Sequence, residues 1–355
     1  MKELWKGNHA IAEAAMRAGC MFYAGYPITP QTEVGEYLSG RMPELGRKFI
    51  QAENEMAACY MLQGAGSTGM RCMTSSSGPG FALKQEAIGY LCSNWIPTVF
   101  VNVIRWGPGL GSLDSAQTDY FQATRGGGNG DYRLPVFAPN SIQETIDLMY
   151  EAWDMAEKYR NPVMILSEAA LGQMMEAVEF PEFKEGPKQS EMDWVWDGVG
   201  DRHSFNHGTP LYVDKPRRVR EKIETMQENE QRWESYLVED ADYVCVAYGL
   251  PSRTTREAVD QLRAEGIKVG LIRPIMVWPF PFKAFAEIKK DVKGIISIET
   301  TDAGQVVEDV ALATKKMVDG NVPVYGLYTA QKVVRPSEAV AFIKRVIAGE
   351  EKEVF

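Results

Sequence analysis

Apolar residues in the first half of the chain come in two alternating rhythms. Short uninterrupted runs mark buried strands, and longer stretches in which apolar residues return every third or fourth position mark helices. The pattern predicts a helix from Asn8, as its cap, to Arg17, with Gly19 as its stop, and then a strand over Cys20–Ala24. Thr29 and Pro30 read as the N-cap and first residue of the next helix. The cycle continues with strand Lys48–Gln51, helix Glu53–Gly66, strand Arg71–Thr74, helix Pro79–Cys92 and strand Pro97–Val103. It closes with a helix capped by Asn140 and running to Tyr159, and with strand Pro162–Ser167.

From Phe180 to Val219 the periodicity fails, and the tryptophans there, Trp194 and Trp196, call for packing rather than free solvent. Val219–Val238 reads as a long charged helix. A second series follows: strands Tyr243–Ala247, Lys268–Ile272, Gly294–Ile298 and Val322–Tyr325, with helices Ser252–Glu265, from Phe282, Gln305–Val318 and Ser337–Ala348. Alternation of this kind belongs to an α/β protein with a doubly wound, mostly parallel sheet. The expected division is a first domain over 1–175, an arm and helix over 176–238, and a smaller α/β domain over 239–355.

The 355 residues are 45% hydrophobic and 24% charged, which fits a globular protein and excludes a disordered or low-complexity chain. Acidic residues outnumber basic ones, 48 to 38, giving a formal charge of −10 that argues against a nucleic-acid-binding face. The five cysteines are scattered singly, so neither an iron–sulfur cluster nor a Cys-based zinc is expected in this chain. His203 and His207 have the spacing of a metal pair but no third ligand nearby. With no leader-like start and no long apolar run, the expectation is a cytoplasmic protein with no membrane partner.

In open α/β sheets, ligands sit at the carboxyl ends of the strands, so the loops that follow strands are the places to look. In Gly25-Tyr26-Pro27-Ile28-Thr29-Pro30, Thr29 is either an ordinary cap in a rigid turn or a hydroxyl that binds a carboxylate at a helix N-terminus. Glu53 reads as a solvated first-turn residue. Glu55 opens a helix that is apolar nearly all round, where a carboxyl is suited to exchange a proton with a heterocycle nitrogen. Ser75-Ser76-Ser77-Gly78-Pro79-Gly80 offers hydroxyls and bare amides but lacks the Lys-Ser/Thr of a P-loop. The Gly-rich stretch from Arg105 through Arg125 to Asp131 is either a linker or part of a site.

Gly7-Asn8-His9-Ala10, Gly25-Tyr26-Pro27-Ile28-Thr29-Pro30, Gln51-Ala52-Glu53-Asn54-Glu55, Ser76-Ser77-Gly78-Pro79-Gly80 and Asn129-Gly130-Asp131 resemble, in order and spacing, blocks in the alpha subunits of 2-oxoacid:ferredoxin oxidoreductases. Pro162–Glu168 continues the resemblance, as do Arg273-Pro274 and Gly304–Glu308 more loosely, and the 119–124 segment is most like the 2-ketoisovalerate (branched-chain) type. The resemblance implies a thiamine-diphosphate enzyme that turns a 2-oxoacid and coenzyme A into acyl-CoA and carbon dioxide and passes electrons to ferredoxin. It makes the first domain pyrimidine-binding and the second similar to a transketolase C-terminal domain.

The Gly-Asp-Gly motif that holds magnesium and the diphosphate is missing, which the resemblance assigns to a beta subunit. The iron–sulfur clusters fall to partners such as gamma and ferredoxin-like delta subunits. Residue by residue, Glu55 matches the catalytic carboxyl that meets N1′ of the aminopyrimidine, and Tyr26, Pro27, Ser76, Gly78 and Pro79 match its pocket. Thr29 matches the hydroxyl that binds the substrate carboxylate. Where relatives usually carry an Arg, Thr124 stands here, so either the register shifts by one and Arg125 is the guanidinium that binds the carboxylate, or Arg125 does something else. Other members of the family act on pyruvate, 2-oxoglutarate or indolepyruvate. A non-catalytic scaffold paralogue and a nucleotide-binding module using Ser75–Gly80 are the readings from other classes.

Overall fold

The computed structural model describes residues 2–192, 194–195 and 215–355; Trp196, His203 and His207 lie outside them. The first half contains strands β1 (Glu3–Lys6), β2 (Phe22–Gly25), β3 (Lys48–Gln51), β4 (Cys72–Ser76), β5 (Thr98–Ile104), β6 (Val136–Phe137), β7 (Pro162–Glu168) and β8 (Met175–Val178). Its helices are α1 (Gly7–Arg17), α2 (Thr32–Glu44), α3 (Glu55–Ser67), α4 (Gly78–Leu83), α5 (Gln85–Asn94), α6 (Tyr120–Arg125), α7 (Ile142–Tyr159) and α8 (Ala169–Gln173). The second half has α9 (Lys215–Asn229), β9 (Trp233–Tyr236), β10 (Tyr243–Val246), α10 (Gly249–Ala264), β11 (Val269–Pro274) and β12 (Met276–Trp278). It ends with β13 (Gly294–Glu299), α11 (Val306–Met317), β14 (Val324–Tyr328) and α12 (Pro336–Ile347).

A seven-stranded sheet runs β12-β6-β7-β5-β4-β2-β3 and is parallel except where β12 joins β6 antiparallel. β5 and β7 are buried along their whole length, which is why they read as continuous apolar runs. The chain leaves β2 to one side for β3 and returns to the other side for β4, so the order reverses between β2 and β4. That reversal opens a crevice at their carboxyl ends. The second sheet runs β14-β13-β10-β11-β9, with only β9 antiparallel to its neighbour.

Several local expectations are corrected. The expected Val219–Val238 helix stops at Asn229, and Trp233–Tyr236 is instead an edge strand. α2 starts at Thr32 with Gln31 at its N-cap, so Thr29 caps nothing; it precedes a cis peptide bond to Pro30. Asn8 lies inside α1, its amide turned to the Pro30 carbonyl (2.6 Å) and to Glu33 Oε2 (2.9 Å). α7 is capped by Ser141, whose Oγ accepts from the Glu144 N–H, rather than by Asn140. The expected helix over Pro79–Cys92 breaks at Lys84 into α4 and α5. The segment from Phe282 is a 3₁₀ helix, Phe282–Glu287.

The two halves meet in a buried polar seam. Gln117 donates its backbone N–H to the Thr300 carbonyl (2.7 Å) and accepts the Thr300 N–H on its side-chain oxygen (3.0 Å). Its amide nitrogen reaches the Tyr248 carbonyl (3.0 Å) and Glu168 Oε1 (3.2 Å), the oxygen that also takes the Leu250 N–H (2.8 Å). Gly249 has φ +58°, and a methyl group on it would lie 2.0 Å from Glu168 Oε1, so glycine is required twice over. Burial pushes the Glu168 carboxyl up to about 8, against the Leu250 and Gln117 donors. Gln305 adds bonds to the Phe121 N–H and the Thr118 carbonyl (both 2.8 Å).

Candidate active site

The loops after β2, β3, β4 and β5 gather at the carboxyl end of the first sheet. After β3 the chain turns through Asn54, which caps α3 by accepting the Ala57 N–H (2.9 Å) and sets Glu55 as the first helical residue. Glu55 is buried. Opposite it α4 begins, and the bare Cα of Gly80 lets the chains close: a methyl group there would stand 2.4 Å from Glu55 Oε1 and 2.6 Å from Ser76 Oγ. The carboxyl of Glu55, the hydroxyl of Ser76 and the first turn of α4 therefore form one cluster.

Two hydroxyls of this loop, Ser76 Oγ and Ser77 Oγ, are fully buried and have no hydrogen-bond partner among the described residues. Buried hydroxyls without partners cost free energy unless something occupies the space before them. Gly78 and Pro79 open α4, Pro79 losing nothing there because a helix's first N–H groups have no helical acceptor. Beneath Glu55, Lys84 is fully buried and donates to the Glu55 carbonyl (3.3 Å) and to Thr74 Oγ1 (3.0 Å).

Thr29 is exposed, and its carbonyl takes a hydrogen bond from Arg105 Nη1 (2.7 Å). Arg105 leaves the end of β5, is buried, and has no partner for Nε among the described residues. A methyl group on Gly78 would lie 3.0 Å from that Nε, so the guanidinium spans from Thr29 to the start of α4. Arg105 is the site residue that the sequence reading left inside a Gly-rich stretch. Its one sequence signal is an arginine directly after a strand that is apolar but for Thr98 and Asn102.

Other expected residues lie apart from this cluster. Arg125 closes α6, donates to Asp309 Oδ2 (2.8 Å) in α11, and stacks over the Phe121 ring at 5.3 Å. Tyr26 and Pro27 are exposed and line a cavity of about 250 Å³ with Tyr23, Gln31, Phe49 and Gln51. A cavity of about 300 Å³ between α5, the 129–133 loop and α9 shares no residue with the Glu55 cluster. No group of three or more His, Cys, Asp or Glu that could hold a metal ion occurs among the described residues. Burial raises the thiols of the five cysteines, Cys59 to about 11 and Cys20, Cys92 and Cys245 to about 12. Among the described residues no helix is long and apolar enough to cross a membrane.

Residues 13–236 match the family model described as pyruvate flavodoxin/ferredoxin oxidoreductase, thiamine diphosphate-binding, and residues 241–338 match pyruvate:ferredoxin oxidoreductase core domain II. The chain belongs to the 2-oxoacid:ferredoxin oxidoreductase family. It is 46% identical over 319 residues to the ketoisovalerate oxidoreductase subunit VorB of Methanothermobacter marburgensis, covering 88% of this chain and 90% of that protein. Among solved structures, the 2-oxoglutarate:ferredoxin oxidoreductase from Magnetococcus marinus, with 2-oxoglutarate, coenzyme A and succinyl-CoA bound, superposes with a TM-score of 0.83 at 25% identity. That match covers 98% of this chain, which spans 65% of the length of that one. A split-gene transketolase shares the fold alone, with a TM-score of 0.61 at 14% identity over 97% of this chain and 98% of that one.

The cluster fits the aminopyrimidine of thiamine diphosphate. Ser76 and Ser77 have hydroxyls without partners among the described residues, and Gly80 lets the Glu55 carboxyl and the Ser76 hydroxyl meet beside the first turn of α4.

Proposed function

We propose that this chain is the alpha-type subunit of a cytoplasmic thiamine-diphosphate-dependent complex that oxidatively decarboxylates a branched-chain 2-oxoacid to acyl-CoA and carbon dioxide, with electrons passed to ferredoxin. The observation that carries the catalytic part is the buried Glu55 carboxyl set against Ser76 and Gly80 at the sheet's reversal point. The branched-chain preference is supported by the 46% identity to the ketoisovalerate subunit.

Thiamine diphosphate, when bound, supplies the electron sink that a 2-oxoacid needs to lose carbon dioxide. Glu55 holds a proton at N1′ of the pyrimidine and moves it as the ring nitrogen gains and loses basicity. Ser76, Gly78 and Pro79 would line the pocket of the ring, while Tyr26 and Pro27 stand apart at their own cavity. Magnesium and the diphosphate are held by a beta subunit, because this sequence has no Gly-Asp-Gly. The exposed apolar side chains of Met56 and Tyr60 on α3, Leu83 at the end of α4 and Tyr90 on α5 favour such a covering chain. The electrons leave through clusters on gamma and ferredoxin-like delta subunits.

At the substrate end, the Thr29 hydroxyl and the Arg105 guanidinium bind the carboxylate. Arg125 is the second candidate cation, already occupied by Asp309. Thr29→Val and Arg105→Ala should each raise the Michaelis constant for the oxoacid about tenfold or more while leaving that for coenzyme A near its starting value, the cost of removing one charge-assisted bond. Arg125→Ala should act on both alike. If Arg125→Ala alone raised the oxoacid constant, the carboxylate would belong to Arg125.

The test of substrate class is the reconstituted complex assayed anaerobically with methyl viologen across a panel of 2-oxoacids. The highest kcat/KM is expected for 2-ketoisovalerate. Preference for 2-oxoglutarate would place the chain with the second type, and no turnover of any oxoacid would favour a scaffold role.

A further inference from the structure

Lys84 is fully buried and donates to the Thr74 hydroxyl and the Glu55 carbonyl, both uncharged, with the Cys59 thiol also within hydrogen-bond reach. An ammonium in such a place costs several kcal/mol unless a neighbouring charge compensates it. An alkyl side chain would fill the same space at no such cost. Burial lowers the proton affinity of the Lys84 amine, and the charges that oppose this effect are those of Cys59 and Glu55, both on α3. The Cys59 thiol is itself raised to about 11 by burial and stays neutral, and β4 contributes only the Thr74 hydroxyl among the described residues. The carboxyl of Glu55 is the remaining compensating charge.

We propose that Lys84 is a positioning residue for Glu55: its ammonium, fixed behind the first turn of α3, stabilises the ionised carboxyl and so helps Glu55 release its proton toward the pyrimidine nitrogen. This rests on the role proposed for Glu55. The step balances as one proton passing from the Glu55 carboxyl to N1′, leaving a carboxylate whose charge faces Lys84, and returning by the same path. No electrons move. The Thr74 hydroxyl and the Glu55 carbonyl hold the amine beside the first turn of α3 through a backbone contact.

Lys84→Met removes the charge and keeps the volume. In the reconstituted complex it should lower kcat on the order of 10- to 100-fold, the size of a single charge interaction at an intermediate effective dielectric. It should also move the alkaline limb of the pH–rate profile, which reports the proton Glu55 must hold before it gives it up, to higher pH, as a carboxyl deprived of its neighbouring cation keeps its proton longer. A second readout needs no cofactor. The difference in melting temperature between the wild type and Lys84→Met should vary with pH across the carboxyl range, and that variation should vanish when both are compared in a Glu55→Gln background.

An unmoved pH profile, or a pH-dependent difference that persists without Glu55, overturns the proposal. If Lys84→Met does not fold, Thr74→Val, which frees the amine while leaving its charge, should shift the profile in the same direction by less, and no shift would overturn it. The two ideas fail separately. An active Glu55→Gln enzyme removes the role of Glu55 itself, whereas an inactive one beside an unaltered Lys84→Met profile removes only that of Lys84.

Discussion

Replacement of Glu55 by glutamine lowers the turnover of the reconstituted complex by about 10²- to 10⁴-fold, the usual worth of a positioned acid–base group. The amide keeps the shape of the side chain and the polar contact beside Ser76 and Gly80, so folding is preserved and the loss is one of proton transfer. The measurement is kcat for the oxoacid with an artificial acceptor, together with a melting curve to establish that the chain is intact. Because Glu55 touches the first turn of α4 through a gap only glycine allows, the amide's extra hydrogens also face crowding. The melting temperature should nonetheless move little, since the amide has nearly the shape of the carboxyl and the strands and their register do not involve it. A Glu55→Gln complex with undiminished turnover would refute the assignment.

The second large effect is on stability and lies at the seam between the halves. Glu168 has a folded-state pKa of about 8 against an ordinary 4.5, raised by burial. The folded chain therefore binds the proton more tightly than the unfolded chain. This contribution to stability is complete below about pH 4.5 and is lost as the pH rises to about 8. At 1.36 kcal/mol per unit the ceiling of that loss is about 5 kcal/mol.

Glu168→Gln is neutral at every pH and still offers one oxygen to the Leu250 N–H and the Gln117 amide. Near pH 5 its melting temperature should lie close to that of the wild type, and near pH 9 it should be clearly higher. Facing the carboxyl are Leu250, Gln117 and the buried Tyr248, whose hydroxyl has no partner among the described residues and whose own proton is held by burial and by the carboxyl's charge. Parallel melting curves for the two proteins from about pH 5 to 9 would show that the proton resides elsewhere.

The α/β alternation is legible in the sequence because parallel strands buried on both faces, such as Thr98–Ile104 and Pro162–Glu168, leave runs that no exposed segment carries. Short edge strands leave no such trace. Trp233–Tyr236 is half-buried on an edge, and its Glu234 and Ser235 continue the polar pattern of the helix before it, so it reads as helix. Val136–Phe137 is too short for any period to show.

The candidate site divides in the same way. Glu55 is legible because a carboxylate at the head of an apolar helix is anomalous within its own segment. Arg105 and Lys84 are not, since each acquires meaning only across the fold: Arg105 by reaching Thr29, 76 residues earlier, and Lys84 by reaching back 29 residues to Glu55. Thr29 lies on the loop between strand and helix that its neighbouring prolines mark, but the helix begins later, after a turn held by the carbonyl of Pro30 accepting from Asn8 and Gln173.

β12 comes from the second half of the chain yet completes the edge of the first sheet, Met276 opposite Phe137 and Trp278 opposite Val136. The division between the halves along the sequence is thus not the division in space. Like a garment whose sleeve is cut from the same cloth as the back, the molecule has no seam along which it separates cleanly. A backbone severed between β8 and α9 would leave the first sheet without its β12 edge until the second fragment supplied it, while the sheet of β9, β10, β11, β13 and β14 would stay whole within that second fragment.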